Sequence, residues 1–316
     1  MKIFNRAEIE KVIIKSELIK AVEEGFKQYS LGNVIVPPVG HLDFDNPPGN
    51  VHIKYGAVKG DQTFTIKVAN GFYDNPMSGL SSSQGVVMVF SQKTGVLEAL
   101  LFDEGLITDL RTAAAGAVVA KYLAANKIDA VGVVGTGIQA RLQIEFLKEV
   151  IDFNKVYVYG RNDDSVEKYI VDMRNKGFNV ESAKTVDILT EKTNYIVTTT
   201  PTTKPLLFAN NLKPGLHITA MGADGPNKQE IDAKLIADVD IKAVDSKSQC
   251  FAYSDTSFAI NESLIDKTSV LEIGEIIANK DLGRVNDKQI TFADLTGVAV
   301  QDIVAAELIL SKLGEI

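Results

Sequence analysis

The spacing of apolar residues changes along the 316-residue chain and predicts two kinds of domain. Leu18, Val22, Phe26 and Tyr29 recur at helical spacing, which predicts a helix from residue 16 to about residue 32. Residues 36–49 hold four of the nine prolines and are predicted to form a loop. Apolar and polar residues then alternate in short segments, which predicts a largely antiparallel sheet. Its predicted strands are residues 51–55, 63–69, 86–90 and 97–102.

From about residue 127 to residue 295, short apolar runs alternate with helical segments, as in a doubly wound parallel sheet with helices on both faces. An alanine-rich helix over residues 109–125, capped by Thr108, is predicted to lead into it. A final helix over residues 298–313 is predicted to return to the first domain. The sequence therefore predicts a discontinuous first domain (1–115 and 297–316) and a second domain (116–296). The predicted elements of the second domain are strands at 130–134, 156–159, 195–199, 216–221 and 239–244, and helices at 141–150 and 164–176.

Residues 130–140 read Ala-Val-Gly-Val-Val-Gly-Thr-Gly-Ile-Gln-Ala and carry the clearest chemical signal. Gly135 permits a tight turn, Gly137 lets the backbone approach a pyrophosphate, and Ala140 lets the helix pack close to its strand. The stretch lies between a predicted strand and a predicted helix, whose free N–H groups can bind an anion. It therefore predicts a dinucleotide site, to which Thr136, Ile138 and Gln139 also belong. The alternative is a glycine-rich turn that binds no nucleotide.

The end of the next predicted strand bears on the choice of cofactor. An acidic residue at this place usually binds the ribose 2′-hydroxyl of NAD, whereas an arginine suits a 2′-phosphate. Here the strand end carries no acid and is followed by Arg161 and Asn162. The sequence therefore predicts NADPH. The alternative is NADH, with Asp163 or Asp164 on the ribose and Arg161 in solvent.

Arg111 is a candidate for binding a carboxylate. It falls in the first turn of the helix predicted over residues 109–125, where its charge opposes the helix dipole. With the free N–H groups of that turn, its guanidinium is expected to hold a carboxylate by two hydrogen bonds. The alternative is a surface ion pair with Asp109 or Glu104.

Two further charged residues, Lys67 and Asp224, are candidate functional residues. Lys67 lies on a predicted strand and points to the face opposite Ile66 and Val68, where it is either functional or exposed to solvent. Asp224 follows an apolar strand, in the kind of loop where α/β sheets bind ligands, and is a candidate acid or base. The alternative for Asp224 is ordinary turn chemistry in an Asp-Gly-Pro sequence.

Composition excludes several classes of protein. A net charge of −8 without a basic block argues against nucleic acid and anionic membranes as partners. The single cysteine, Cys250, cannot form an internal disulfide and is expected to be buried in a cytoplasmic protein. The histidines His41, His52 and His217 show no metal-ligand spacing, so no metal is predicted, and His217 is expected in the core.

Together these residues resemble the ornithine cyclodeaminase/mu-crystallin family over most of the chain. The motifs that carry the resemblance are Lys67 with Asn70-Gly71, Arg111-Thr112-Ala113-Ala114, residues 135–140, Gly222-Ala223-Asp224 and Thr296-Gly297-Val298-Ala299. The resemblance implies a substrate-binding and dimerisation domain, a Rossmann domain and a homodimer.

The resemblance also implies roles for single residues. Lys67 and Arg111 would bind the substrate carboxylate, Asp224 would be the acid/base at the substrate nitrogen, and Ser82 would line the site. Gly297 would lie close to the nicotinamide and the substrate. The remaining residues predicted to bind the cofactor are Thr112, Thr200, Met221, Thr296 and Val298.

The family contains cyclodeaminases, which retain NAD, and reductases of cyclic imino acids or oxo acids. Cyclodeaminases resemble one another in an arginine soon after the proline pair and an acid in the strand before the lysine. This chain has Val39-Gly40-His41 and Lys54 there. A cation at Lys54 would repel the side-chain ammonium of ornithine by about 4 kcal/mol at ~4 Å in an intermediate dielectric.

The sequence therefore predicts an NADPH-dependent reductase of a small cyclic imino acid, Δ1-pyrroline-2-carboxylate or its six-membered homologue, with Lys54 near the substrate. The alternatives within enzymes are ornithine cyclodeaminase and an amino-acid dehydrogenase such as one making alanine. A non-catalytic nucleotide or hormone binder is the alternative from another class. The presence together of Lys67, Arg111 and Asp224 argues against that binder.

Overall fold

A computed structural model describes residues 1–72 and 74–315, which divide into two compact units. Unit 1 comprises Met1–Ala114 and Val298–Ile316, and unit 2 comprises Ala115–Gly297. Within the described ranges, no helix is both long and apolar enough to span a bilayer. Substrate binding and dimerisation by the first domain, and dinucleotide binding by the second, remain predictions at this point.

Unit 1 is built on a mixed, largely antiparallel sheet, as predicted. Its strand order is β1-β7-β6-β5-β4-β2, with β3 paired to β4, and the pair β1–β7 is parallel. The elements up to the end of the third helix are β1 (Lys2–Asn5), α1 (Arg6–Val12), α2 (Lys15–Ser30), β2 (Val34–Ile35), β3 (Gly40–Asp45), β4 (Pro48–Val58), β5 (Thr63–Phe72), β6 (Ser83–Ser91), β7 (Leu97–Phe102) and α3 (Leu106–Leu123).

The prediction of a loop over residues 36–49 is wrong, because β3 lies within it and pairs antiparallel with β4. The prolines that suggested a loop lie outside the paired core of the hairpin. Pro37 and Pro38 precede β3, and Pro47 and Pro48 lie at the turn, where a missing N–H costs no ladder hydrogen bond.

Unit 2 is a doubly wound parallel sheet, which confirms the predicted fold class. Its strand order is β10-β9-β8-β11-β12-β15-β13-β14. The elements are β8 (Val131–Val134), α4 (Ile138–Leu147), β9 (Val156–Tyr159), α5 (Asp163–Asn175), β10 (Val180–Ser182), α6 (Val186–Lys192), β11 (Tyr195–Thr198), β12 (His217–Ala220), α7 (Ala233–Asp238), β13 (Ile241–Val244), α8 (Lys247–Cys250), α9 (Asp255–Asn261), β14 (Val270–Glu272), α10 (Ile273–Ala278) and β15 (Thr291–Asp294).

Apolar cores lie on both faces of this sheet. One includes Val131, Val133, Ile144 and Tyr169, and the other includes Ile196, Ile218, Leu235 and Phe292, all fully buried. His217 is buried between two threonine hydroxyls, and Cys250 is also buried, as predicted for both.

A last helix, α11 (Ala299–Lys312), belongs to unit 1 and packs against α2, β4 and β5. The contact with α2 is close because Gly25 has no side chain. A Cβ there would lie 3.1 Å from Cγ1 of Val304. Helix α11 carries Asp302, which becomes important in the site of unit 1.

Candidate active site and dinucleotide site

The glycine loop lies between β8 and α4, at the point where the strand order of unit 2 reverses. Gly135 has φ +121°, and a Cβ there would lie 2.4 Å from Oγ1 of Thr199, so a larger residue would be strained. Gly137 caps α4, and no atom lies within 4 Å of the place its Cβ would take. Ala140 is fully buried against the sheet. These features fit a bound pyrophosphate, because the backbone at Gly137 can be approached closely.

A cavity of about 260 Å³ opens in front of this loop. Its walls come from the ends of β8, β9 and β11, which is where doubly wound sheets bind nucleotides. The lining residues are Val134, Gly135, Thr136, Gly137, Tyr159, Gly160, Arg161, Thr199, Thr200, Pro201, Thr202 and Leu206. Arg161 is exposed, whereas Asn162 caps α5 by accepting a hydrogen bond from N of Ser165 at 2.8 Å. Asp163 and Asp164 form the first turn of α5.

Arg141 fastens the glycine loop to α5, a role that the sequence did not reveal. Its Nη1 donates to O of Gly137 at 3.1 Å, and its Nη2 donates to Oδ2 of Asp172 at 2.6 Å. The guanidinium also lies 5.0 Å from the ring centre of Tyr169, whose hydroxyl donates to O of Ala140. These contacts hold the glycine loop against α5.

Glu230 is a second residue that sequence reasoning missed. It is fully buried, and Oε1 accepts hydrogen bonds from N and Oγ1 of Thr200 at 2.6 and 2.7 Å. Oε2 accepts from Oγ1 of Thr198 and from N of Gly222, both at 2.7 Å. Burial raises the pKa of Glu230, and these hydrogen bonds oppose the rise. One carboxylate thus joins a wall of the cavity to the loop that carries Asp224.

Asp224 lies in this loop after β12 and is part-exposed. Its Oδ1 lies 2.6 Å from Nζ of Lys228, four residues further along the chain. Met221, at the start of the loop, is buried, and its N donates to O of Thr198 at 3.1 Å. A carboxylate in such a loop can exchange a proton with a ligand, in keeping with the predicted role.

Thr296 and Gly297 are held by buried side chains at the carboxyl end of β15. Asp245 accepts hydrogen bonds from Oγ1 of Thr296 at 3.1 Å and from N of Gly297 at 2.6 Å. Nε2 of Gln249 donates to Oγ1 of Thr296 at 3.0 Å and to O of Gly297 at 3.1 Å. Within unit 2 the structure therefore fixes these two predicted residues tightly.

In unit 1, the structure brings Lys67 and Arg111 together around Asp302. Oδ1 of Asp302 accepts hydrogen bonds from Nζ of Lys67 at 2.9 Å and from Nε of Arg111 at 3.0 Å. The three side chains are at most 5% exposed. Lys67 is therefore not exposed to solvent, and Arg111 is buried beside Asp302 instead of lying at the surface. Sequence reasoning missed Asp302, because no local pattern distinguishes it from any other polar residue at a helix start.

The prediction that Thr108 caps this helix, and that Arg111 lies in its first turn, is wrong. Helix α3 begins at Leu106, since Oδ2 of the buried Asp103 accepts a hydrogen bond from N of Ile107 at 2.8 Å. Thr108 is therefore inside the helix, and Arg111 lies in its second turn, away from the free N–H groups. Residues 106–112 contain no alanine, so the alanine-rich pattern does not reach the true start of the helix.

The environment of Lys67 favours loss of its proton. Burial and the nearby charge of Arg111 lower the pKa of Lys67 to about 7, and Asp302 opposes this change. Lys54 lies directly opposite Lys67 on the adjacent strand, is also buried, and lowers the pKa of Lys67 further. Burial alone would raise the pKa of Asp302, but Lys67, Arg111 and Lys54 hold it below its ordinary value.

Three further residues of unit 1 were predicted to belong to the site: Thr112, Ser82 and Val298. Thr112 follows Arg111 on α3 and is half-buried, and Ser82 is exposed just before β6. Val298 caps α11, and its N donates to Oε1 of Gln301 at 2.9 Å. Within the parts of the chain that the structure describes, no group of three or more His, Cys, Asp and Glu side chains could hold a metal ion.

Known proteins resemble this chain along its whole length. A putative dehydrogenase of Rhizobium meliloti is 37% identical over 315 residues, which cover 99% of this chain and 95% of that protein. The structure of Thermococcus litoralis Δ1-pyrroline-2-carboxylate reductase in complex with NADH and L-proline is 29% identical, with a TM-score of 0.93, and the match covers 100% and 98% of the two chains. An archaeal alanine dehydrogenase dimer with bound NAD is 32% identical, with a TM-score of 0.88, over 98% and 95%.

The dinucleotide fold and these similarities define the class: the chain is an NAD(P)H-dependent oxidoreductase. The model of the ornithine cyclodeaminase/mu-crystallin family matches residues 1–315, and the chain belongs to that family. The predicted family membership is thereby confirmed.

Proposed function

We propose that the chain is a cytoplasmic, NADPH-dependent reductase of a small cyclic imino acid. The substrate is Δ1-pyrroline-2-carboxylate, which is reduced to L-proline, and the six-membered homologue is a second substrate. The buried contact of Lys67 and Arg111 with a single carboxylate, Asp302, carries this proposal.

The cluster in unit 1 suits a ligand with one carboxylate. In it, two basic side chains share one acidic side chain, so when Lys67 is protonated the three groups carry one positive charge in surplus. A substrate carboxylate would balance that charge, and the bidentate donors of Arg111 would orient it. Held in this way, the imine carbon would be positioned for hydride transfer, and positioning can supply much of the rate.

Asp224 is the proposed proton donor at the substrate nitrogen. A protonated imine accepts hydride far more readily than a neutral one, and an acid near the nitrogen maintains that state. The reduced nicotinamide supplies the hydride. Its part-exposed position after β12, next to Lys228, allows Asp224 to regain a proton from solvent.

NADPH is proposed because Arg161 lines the cavity at the end of β9 and can pair with a 2′-phosphate. The two solved relatives bind NADH and NAD, so NADH is the alternative cofactor. The kinetic constants for NADPH and NADH, measured on one preparation, decide between the two cofactors.

Lys54 supports a reductase over a cyclodeaminase. It is buried opposite Lys67, so it adds positive charge where the ammonium of ornithine would need negative charge. A second candidate function is an amino-acid dehydrogenase that makes alanine, which the 32% identity to the archaeal alanine dehydrogenase favours. Pyruvate with ammonia is the substrate pair that tests it.

A homodimer is proposed because the face of the unit 1 sheet opposite α11 is apolar and only part-covered. Tyr55, Ile66, Met88, Leu100 and Ile3 lie opposite one another in successive strands and form a row across it. Tyr55 is 37% and Ile3 is 55% exposed in the single chain. A second copy of the chain would cover such a row, and sedimentation of the purified protein tests this.

The function is tested by two assays on one preparation. NADPH oxidation is followed with Δ1-pyrroline-2-carboxylate, and ammonia release is followed with L-ornithine and catalytic NAD. Oxidation without ammonia supports the reductase, and the same assay with the six-membered imine gives the ring size. Ammonia without net oxidation identifies a cyclodeaminase, and nucleotide binding without turnover on any imine or oxo acid identifies a binder.

A further inference from the structure

Asp302 lies between the two cations that are proposed to bind the substrate. A single oxygen, Oδ1, accepts hydrogen bonds from both Lys67 and Arg111. Asp302 is 1% exposed, so water does not weaken these contacts by screening. It also lies in the first turn of α11, where the helix dipole favours a negative charge. Asp302 therefore fixes the distance between the two cations.

Gln301 holds the same guanidinium from the adjacent position. Its Oε1 accepts hydrogen bonds from Nη1 of Arg111 at 3.0 Å and from N of Val298 at 2.9 Å. Arginine has five N–H donors in a rigid plane, so two fixed donors set the orientation of that plane. Donors remain for a carboxylate ligand.

The network is not arranged for stability alone. Among the described residues, Oδ2 of Asp302 and Nε2 of Gln301 are buried and have no hydrogen-bond partner. Each such atom has lost the hydrogen bonds to water that it would make in the unfolded chain. A purely structural network would satisfy these atoms or replace them with apolar groups. This observation, together with the hydrogen bonds to Lys67 and Arg111, points to a role for Asp302 and Gln301 in holding these two side chains.

We propose that Asp302, assisted by Gln301, is the positioning residue of the carboxylate site, because it fixes the Lys67 ammonium and the Arg111 guanidinium for the substrate. It acts through these two side chains and does not contact the substrate. The inference rests on the proposed function, since it assumes that Lys67 and Arg111 bind a carboxylate.

The charged groups that face Lys67 define the expected pH dependence. They are Lys54 on β4, Arg111 on α3, Asp103 before α3, and Asp302 on α11. Asp302 is the residue in hydrogen-bond contact with Lys67 that raises its pKa. Without Asp302, the pKa of Lys67 is expected to fall below about 7. Lys67 would then be neutral at pH values at which it is still charged in the native protein.

The test compares Asp302→Asn with the native protein across pH. We expect KM for Δ1-pyrroline-2-carboxylate to rise about tenfold at neutral pH while kcat changes much less, because binding of the carboxylate is weakened. The difference should shrink as the pH is lowered, because Lys67 then regains its proton in the variant. A KM increase that is equal at every pH, or a profile that coincides with the native one, would overturn the inference.

Two further variants make the result specific. Glu307→Gln removes a half-buried carboxyl of α11 and is expected to leave the pH profile of KM unchanged. Gln301→Met removes the acceptor from Arg111 but leaves Asp302, so KM should rise without a shift of the profile. If Asp302→Asn fails to fold, Gln301→Met decides the matter, and an unchanged KM in that variant contradicts the inference.

Binding of pyrrole-2-carboxylate, a planar ring carboxylate, provides a readout that needs no turnover. It is measured by calorimetry on the native protein and the variants in the presence of NADP⁺. If the native protein neither reduces the imine nor binds this probe, the proposed function itself fails. If the native protein does both and Asp302→Asn matches it, only the role of Asp302 fails.

Discussion

The side chain of Glu230 accepts a hydrogen bond from the backbone N of Gly222 at 2.7 Å, which ties the Asp224 loop to the wall of the cavity in front of the glycine loop. A Cβ on Gly222 would lie 2.0 Å from O of Thr200, so the two loops touch without room for a side chain. Within unit 2, the loop with Asp224, which is proposed to protonate the substrate, is therefore held directly against the loop with Thr200, which is proposed to bind the cofactor.

Glu230→Gln is predicted to loosen both loops. Each Glu230 oxygen accepts two hydrogen bonds, and an amide NH₂ in either place would face donors instead of acceptors. We expect a loss of about 1–3 kcal/mol in the free energy of unfolding, measured by urea titration, together with weaker NADPH binding. The control is Glu262→Gln on the protein surface. Native stability with native NADPH affinity would contradict the role of Glu230.

Gly135→Ala is predicted to lower the stability of the protein, whereas Gly137→Ala is predicted to weaken NADPH binding. Alanine at position 135 must adopt φ +121° and would clash with Thr199, so the free energy of unfolding should fall by about 1–3 kcal/mol. Alanine at position 137 meets no atom and should leave stability unchanged. Its methyl group would stand where the pyrophosphate approaches, so the Kd for NADPH should rise about tenfold or more, or ~1.4 kcal/mol.

The two glycine variants control for each other, with thermal unfolding and NADPH fluorescence titration as the measurements. Equal NADPH affinity in Gly137→Ala and the native protein would show that the dinucleotide does not bind at this loop.

Arg161→Ser is predicted to change the cofactor preference. Loss of a charged hydrogen bond to a 2′-phosphate costs about 1.5–3 kcal/mol, which is roughly a 10- to 100-fold rise in KM for NADPH. KM for NADH should stay the same, because NADH has no such phosphate. Lys168→Ser, on the exposed surface of α5, is the control. Equal effects on both cofactors would show that Arg161 does not read the 2′ position.

Asp224→Asn is predicted to lower kcat by about 10²- to 10⁴-fold, the usual range for loss of a general acid. NADPH binding should be intact, because Asp224 lies outside the glycine loop. Lys228→Met, which removes its ion-pair partner, tests whether the pair or the carboxyl alone matters. An active Asp224→Asn enzyme would remove Asp224 from the mechanism.

The sequence predicted those features that depend on local pattern. The doubly wound sheet, the glycine loop and the buried His217 and Cys250 follow from apolar runs and glycine spacing, and the structure confirms them. The start of α3 was missed because Asp103 caps it from a turn whose shape depends on positive φ at Glu104 and Gly105.

Residues that act through distant contacts were also missed. Asp302 lies 235 positions from Lys67, and Glu230 lies 30 positions from Thr200, so no local pattern links either pair. Short strands such as β10 and β14 were not predicted for a related reason. Each has three residues, too few to show a period, and is fixed by its neighbour in the sheet.

Glu307 on α11 gives a pH-dependent prediction that concerns stability. Burial and the charge of Asp61 raise the pKa of Glu307 to about 7, while a hydrogen bond from Oγ1 of Thr63 at 3.2 Å opposes the rise. Because the folded-state pKa lies above the unfolded value, the stability that the protonated group contributes is present at acidic pH and is lost as the pH rises toward 7.

Glu307→Gln, which imitates the protonated form, should therefore be more stable than the native protein above pH 7. The expected gain is about 1 kcal/mol, because the group is partly exposed and solvent screens its charge. Below about pH 4.5 the two proteins should have the same stability, since Glu307 is then protonated in both the folded and unfolded states. Urea titrations at both pH values measure this difference. A gain of equal size at both pH values would show that packing, and not the charge of Glu307, is responsible.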